Sequence, residues 1–152
     1  TILTDFILSN TDRHYNNFGF LYHLQLHRLV KMAPVFDTGN SLFYNKEIIP
    51  QGSNLLDVTV NSFKKKEVSL LEYVSKSDLV GIGKLESFPK EVYNLLTYNT
   101  DMPDERAKSI SGTVQQKLEY LKLFQQGKKI WKKENRFLIR QLRIITIKHA
   151  GW

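Results

Sequence analysis

Two acidic residues and one amide near the start of the chain have the types and the order needed to handle a phosphoryl group. Asn17 follows Asp12 by five positions, and Asp37 comes after a short apolar stretch. In phosphoryl transfer one carboxylate orients or deprotonates the acceptor hydroxyl, while amide and carboxylate oxygens hold Mg²⁺ on the nucleotide phosphates. The three residues therefore predict a phosphoryl-transfer site.

The segment before Asp12 is predicted to be a helix. Apolar residues recur at helical spacing over residues 2–7, whereas Asp5 falls outside that pattern and is predicted to be a surface acid. The helix should end near Ser9 and Asn10, whose short polar side chains compete for backbone hydrogen bonds. Because a helix already begins at the first residue without an initiator Met, the chain is expected to be cut from a longer protein.

A β-hairpin is predicted after the loop that carries Asp12. Residues 18–24 and 28–32 are apolar and aromatic stretches separated by a few residues. Pro34 ends the second strand and leaves Asp37 on the following turn, where Gly39 can take a positive φ. This order is expected to bring the polar residues together at one end of two adjacent strands.

The rest of the chain is predicted to be mainly helical after an irregular stretch over residues 43–66. Two helical patterns are short, one begins near Ser87 with Pro89 in its first turn, and a longer one ends at Gly127. The long helix should bury a face made of Ile110, Val114, Leu118 and Leu121. A last helix carries Leu138, Leu142 and Ile145 on one face. The predicted fold is mainly α with a small β-hairpin, in a single domain of residues 1–152.

Composition narrows the class of protein. A chain of 152 residues with 41% hydrophobic and 24% charged residues is long enough and apolar enough to bury a core. No apolar run approaches the roughly 18 residues of a membrane span, and no leader resembles a signal peptide. The chain is therefore predicted to be intracellular, without a membrane partner. The absence of cysteine excludes disulfides and thiolate metal sites.

The positive charge of the chain is concentrated in its C-terminal segment. Residues 122–152 hold nine Lys and Arg against the single acid Glu134, a net of +8 within a total of +7. A solvated helix face explains such a segment most simply, although nucleic acid, an acidic partner and an anionic membrane surface are alternatives. Between Lys128 and Lys148 only Trp131 and Phe137 are aromatic, which argues against direct nucleic-acid binding.

The two polar motifs resemble those of a known family. Asn10–Phe20 and Ala33–Leu42 look like the catalytic core of HipA-like serine/threonine kinases, and are more distantly similar to phosphatidylinositol kinases. The resemblance implies that Asp12 is the catalytic Asp, that Asn17 and Asp37 bind Mg²⁺, and that ATP is the phosphate donor. It also implies the C-terminal lobe of a kinase-like α+β fold, a cytoplasmic location and a protein Ser/Thr hydroxyl as acceptor. Many members pair with a helix-turn-helix antitoxin in a toxin–antitoxin system.

Other kinase features are missing from the sequence. It contains no G-x-G-x-x-G or Walker-type loop, because Gly81-Ile82-Gly83 is too short and lies downstream of the catalytic motif. No Lys precedes the motif to meet the nucleotide phosphates. The chain is therefore expected to be a kinase fragment that lacks the nucleotide-binding lobe, binds ATP weakly and has no useful activity by itself.

Two interpretations are open for each of the residues that follow Asp12, Arg13 and His14. His14 either contacts the transferring phosphate or the acceptor, as a catalytic residue, or packs the loop. Arg13 either binds a carboxylate or phosphate with both arms of its guanidinium, or is exposed to solvent. Asp57 is predicted to be a surface acid, and Lys64–Lys66 is predicted to be a solvated loop.

The same sequence is compatible with two other functions. Phe36–Leu42 also resembles the D-T-G loop of aspartic proteases, which need a second such loop from a duplicated half or a dimer partner. The chain has one such loop, and its remainder reads as helical where those proteases are β-rich. The other rival is a scaffold or nucleic-acid-binding module derived from a kinase lobe, without catalysis.

Overall fold

The computed structural model describes residues 1–98 and 100–131, which form a mainly helical fold with one two-stranded antiparallel hairpin. The helices are α1 (Ile2–Leu8), α2 (Phe88–Thr97) and α3 (Asp104–Gln125), and the strands are β1 (Phe20–His23) and β2 (Arg28–Met32). The predicted fold class is confirmed at this level. The predicted last helix and most of the basic segment lie outside the described residues.

Helix α1 ends where the sequence predicted. Ser9 is its C-cap and has a left-handed backbone with φ 53, and the amide of Asn10 donates to the carbonyl of Asp5 at 2.9 Å. This left-handed residue stops the helix and turns the chain away from its axis. Asp12 consequently lies on a loop that follows a buried helix.

The hairpin also agrees with its prediction, in a shorter form. Phe20 pairs with Met32 and His23 with Arg28, and the register shifts between Leu21 and Tyr22. Every residue of β1 and β2 is exposed, including large apolar side chains on both strands. The hairpin therefore stands outside the hydrophobic core, as an apolar surface that the described residues do not cover.

The core is organised around α3. The predicted face of Ile110, Val114, Leu118 and Leu121 is buried, and α1 and α2 pack against this helix. Ser87 is the N-cap of α2 and Pro89 lies in its first turn, as predicted. Gly127 follows α3 with φ 80, and its amide donates to the carbonyl of Phe124, so it closes the helix as expected.

In the segment between the hairpin and α2, the stretch 43–66, predicted to be irregular, contains one 3-10 helix, and the two short helical patterns predicted after it are confirmed as 3-10 helices. The whole segment contains four short 3-10 helices, which are Gly52–Asp57, Glu67–Tyr73, Ser77–Leu79 and Ile82–Leu85. Phe43, Ile49, Leu55 and Leu56 from this segment enter the core. A segment without long regular elements therefore supplies core residues and passes close to the Asp12 loop. Within residues 1–98 and 100–131, no helix is long and apolar enough to cross a membrane.

Candidate active site

A buried ion pair joins helix α1 to the loop that carries Asp12. The Nε and Nη2 atoms of Arg13 donate to the two carboxylate oxygens of Asp5, at 2.9 and 3.0 Å. Arg13 is 1% exposed and Asp5 is 2% exposed. The prediction that Asp5 is a surface acid is wrong, because its carboxylate is buried against the side chains of Arg13 and Asn10. The interpretation of Arg13 as a bidentate partner of a carboxylate is confirmed.

The same guanidinium holds the backbone at two further places. Its Nη1 atom donates to the carbonyl of Asn17 at 2.9 Å and to the carbonyl of Phe36 at 2.6 Å. Arg13 thereby ties the end of the Asp12 loop to the residue that precedes Asp37. Planar, fixed donors suit a site where several acceptors must be held at set positions. One buried side chain thus brings together the neighbourhoods of all three residues that the sequence singled out.

Asn17 lies at the end of the Asp12 loop, in the 3-10 turn Tyr15–Asn17, and is 6% exposed. Its Nδ2 atom donates to the carbonyl of Asp12 at 2.7 Å. This bond fixes which way the amide faces, since the nitrogen is engaged with the loop backbone. The Oδ1 atom is left as the ligand atom of this side chain.

Asp37 is exposed and has a left-handed backbone, with φ 53. Asp is one of the few residues other than Gly that adopt this conformation. The prediction that Gly39 would take the positive φ is wrong, because the left-handed residue in this stretch is Asp37. The Asp37 carboxylate makes no hydrogen bond or ion pair within the described part of the chain. Its oxygens therefore have no protein donor among residues 1–98 and 100–131.

The Asp12 carboxylate is held by two amides, one from the second motif and one from outside both motifs. Its Oδ2 atom accepts a hydrogen bond from Asn40 Nδ2 at 3.1 Å, and its Oδ1 atom accepts one from Asn61 Nδ2 at 2.7 Å. The Nε2 atom of His14 lies 3.9 Å from the Asp12 Oδ1 atom. Asn40 belongs to the second motif, whereas nothing in the local sequence around Asn61 connects it to Asp12. Only the path of the irregular segment brings it there.

The side chain of His14 is partly exposed, with 34% of its surface accessible. That exposure and its position beside the Asp12 carboxylate leave it free to meet a substrate. Both interpretations of His14 remain open, since its ring makes a long contact with Asp12 and also lies on the loop.

The donor set at this site suits a metal ion that arrives with a nucleotide. Among residues 1–98 and 100–131, no three His, Cys, Asp or Glu side chains converge on one point. Mg²⁺ needs no such cage, since it keeps several waters and is often held by one or two protein oxygens together with phosphates. Asn17 Oδ1 and the Asp37 carboxylate are oxygens of this kind, so both residues fit the ion that the sequence predicted.

A second buried ion pair lies behind the site, between α3 and the 3-10 helix Glu67–Tyr73. Lys117 bonds to the Oε2 atom of Glu67, and the two side chains are 0% and 1% exposed. The Lys117 Nζ atom also lies 4.3 Å from the centre of the Phe6 ring, on α1. Burial raises the pKa of Glu67 to about 7, partly offset by Lys117, and the charge of Asp5 adds to the rise. Burial also lowers the pKa of Lys117.

The surface charges agree with their predictions. Asp57 is exposed and pairs with Lys66, while Lys64 pairs with Glu72 at 3.1 Å. Lys64 also lies 5.4 Å from the centre of the Tyr73 ring. Two members of the Lys64–Lys66 run thus have acidic partners at the surface, as expected for a solvated loop.

The comparisons with known proteins gave no match of significance. No protein-family model matches the chain, and neither the curated proteins nor the solved structures that were searched contain a match to it.

Proposed function

We propose that this chain carries the catalytic half of an ATP- and Mg²⁺-dependent kinase that phosphorylates the Ser or Thr hydroxyl of a protein. The observation that supports the proposal most strongly is the set of hydrogen bonds made by Arg13. They link the loop of Asp12 and Asn17 to the residue before Asp37. The three residues with the chemistry of phosphoryl transfer thus share one buried support.

Each residue has a role that follows from its surroundings. Asp12 accepts the proton of the acceptor hydroxyl, and its two amide partners fix the direction of its carboxylate. Asn17 Oδ1 and the Asp37 carboxylate hold Mg²⁺, because both are oxygen ligands without a competing partner. Bound ATP and Mg²⁺ supply the transferable phosphoryl group and neutralise the charge that develops on it. His14, near the Asp12 carboxylate, contacts the acceptor or the phosphate.

Two surface features support the placement of the partners. The apolar side chains exposed on the hairpin offer a surface for a nucleotide-binding lobe. A groove of about 610 Å³ is lined by Thr11, next to Asp12, and by Asn61, and offers space for an acceptor segment. The protein acceptor, the kinase-lobe fold and a helix-turn-helix antitoxin as partner rest on the sequence resemblance.

The test is Mg²⁺-dependent phosphoryl transfer from ATP by the natural full-length polypeptide. Asp12→Ala should lower the rate by about 10²- to 10⁴-fold, the usual contribution of a general base. Asp37→Ala should remove activity and metal dependence together, and Asn17→Ala should weaken metal binding. Asp78→Ala removes an exposed acid elsewhere and serves as the control. Full turnover by Asp12→Ala would refute the assignment.

A second measurement concerns the 152-residue chain by itself. We expect it to bind ATP weakly and to transfer phosphate poorly, because the sequence holds no glycine-rich loop to cover the phosphates. Isothermal titration with ATP and Mg²⁺ measures this directly. Tight binding would show that the chain carries a phosphate cradle of a different kind.

A further inference from the structure

The segment of residues 61–63 runs across the Asp12 loop and bonds to it at successive positions. The amide of Asn61 donates to the carbonyl of Thr11 at 2.8 Å, and Ser62 Oγ donates to the carbonyl of Arg13 at 2.6 Å. The ring of Phe63 then packs against the ring of Tyr15, with centroids 4.7 Å apart. We refer to residues 61–63 as the strap. Its backbone and side chains are held at several points, so its first residue is fixed relative to the loop.

That first residue donates to the carboxylate of Asp12. Asn61 Nδ2 lies 2.7 Å from the Oδ1 atom, opposite the Asn40 Nδ2 atom at 3.1 Å from the Oδ2 atom. Each carboxylate oxygen therefore has one amide donor and retains a further lone pair that can accept from a hydroxyl. Amides carry no charge, so they fix the direction of the carboxylate and leave its negative charge in place. Lys or Arg in the same position would neutralise that charge.

From these contacts we infer that Asn61 is a positioning residue for Asp12. The inference rests on the proposed function, in which Asp12 accepts the proton of the acceptor. A base held in one direction by neutral donors is ready for the hydroxyl, and a misplacement of about 1 Å at a reacting group can cost about 10²-fold in rate. Asn61 acts through Asp12 and is not itself in contact with the reacting atoms.

The contact is tested without any need for activity. In a ¹⁵N–¹H spectrum of the 152-residue chain, the side-chain amide of Asn61 should shift when Asp12 is replaced in Asp12→Ala. Asp78→Ala, which removes an exposed acid remote from the strap, should leave that signal in place. An Asn61 signal that does not move in Asp12→Ala would overturn the inference, whether or not the protein is a kinase.

The role is tested in the natural full-length polypeptide by separating kcat from KM. Asn61→Ala should lower kcat by about 10- to 100-fold and leave the KM for ATP within about twofold, since the nucleotide does not meet this residue. Asn61→Asp keeps the size of the side chain but replaces the donor with a like charge, so it should lower kcat more than Asn61→Ala. Asn94→Ala, which removes an exposed amide on α2 outside the groove, is the matched control and should keep wild-type kcat.

The possible results separate the two proposals. If Asn61→Asp keeps the kcat of the wild type, only the size of the side chain matters and the positioning role is wrong. If the wild-type polypeptide shows no phosphoryl transfer, the proposed function is wrong, while the spectroscopic test still decides whether Asn61 holds Asp12.

Discussion

Residues 1–98 and 100–131 contain two buried ion pairs that differ in how fully their hydrogen-bonding groups are satisfied. Arg13 gives both arms of its guanidinium to Asp5 and uses its remaining nitrogen for two backbone carbonyls. Lys117 bonds to one oxygen of Glu67, whose other oxygen, Oε1, finds no hydrogen-bond partner among the described residues. Both pairs are buried. Differences in solvent exposure therefore do not explain why one pair satisfies its hydrogen-bonding groups and the other does not.

The difference teaches what each pair contributes. A planar guanidinium can satisfy several acceptors in fixed directions, which suits Arg13 to a site that must be held rigidly. An ammonium is a compact charge, and a buried carboxylate that it pairs incompletely loses more solvation than it regains. The consequence is visible in the pKa of Glu67, which burial raises to about 7. The Asp5–Arg13 pair organises the candidate site, whereas the Glu67–Lys117 pair leaves one carboxylate oxygen unsatisfied in the core behind it, among the described residues.

The largest expected effect comes from breaking the incomplete pair. Lys117→Met removes the partner of Glu67 and leaves a buried acid alone, which should lower the free energy of unfolding by about 3–5 kcal/mol at pH 8. Urea denaturation followed by circular dichroism measures it. The control is the double variant Glu67→Met with Lys117→Met, which should be as stable as the wild type or more so. A double variant as unstable as the single one would contradict this account of the pair.

A slightly smaller effect is expected from pH. The pKa of Glu67 is about 7 in the folded protein against an ordinary 4.5, so the folded state keeps a proton that the unfolded chain has released. The free energy of unfolding should therefore fall as the pH rises from about 4.5 to about 7. Each pKa unit is worth about 1.36 kcal/mol, so the difference of 7 − 4.5 gives about 3 kcal/mol.

The measurement is a series of urea denaturation curves across this pH range. Glu67→Gln has no proton to release and should flatten the slope. The lowered pKa of Lys117 acts in the opposite direction as the pH approaches the ordinary lysine value of 10.5. Equal slopes for the wild type and Glu67→Gln would show that another group governs the dependence.

The smallest of the three effects should come from weakening the complete pair while its charge is kept. Arg13→Lys cannot reach the carboxylate of Asp5 and both backbone carbonyls together, and a buried acceptor left unsatisfied costs about 1–3 kcal/mol. We expect a loss of about 2–3 kcal/mol on that basis, with shifted amide signals at Asn17 and Asp37. Arg28→Lys, on the exposed hairpin, is the control. Unchanged stability in Arg13→Lys would mean that the planar, two-armed geometry of the guanidinium does not contribute to the stability of the fold.

Much of the fold could be predicted because its signals are local. Helical spacing located α1, Pro89 marked the start of α2, and the buried face of α3 followed from its apolar periodicity. Alternation of apolar and turn residues located the hairpin. The acid and amide types at Asp12, Asn17 and Asp37 also come directly from the sequence, although their role in catalysis stays a prediction.

One of the two buried charges on helices has a local signal in the sequence. Lys117 is three residues after Val114 and so lies near the apolar face of α3, whereas Asp5 lies away from the apolar residues of α1. A charge on such a face must find a partner or remain in water. The partners, Arg13 and Glu67, are not determined by helical periodicity.

The sequence by itself determined the types of residue in the candidate site, the helices and the hairpin, because all of these depend on neighbours a few positions apart. Only the tertiary structure decided that Arg13 is buried, that Asp37 rather than Gly39 has the left-handed backbone, and that Asn61 meets Asp12. Contacts between residues far apart in the chain depend on how all the intervening segments pack. The strap in particular belongs to a segment with little regular structure, whose path is set by the core residues it buries.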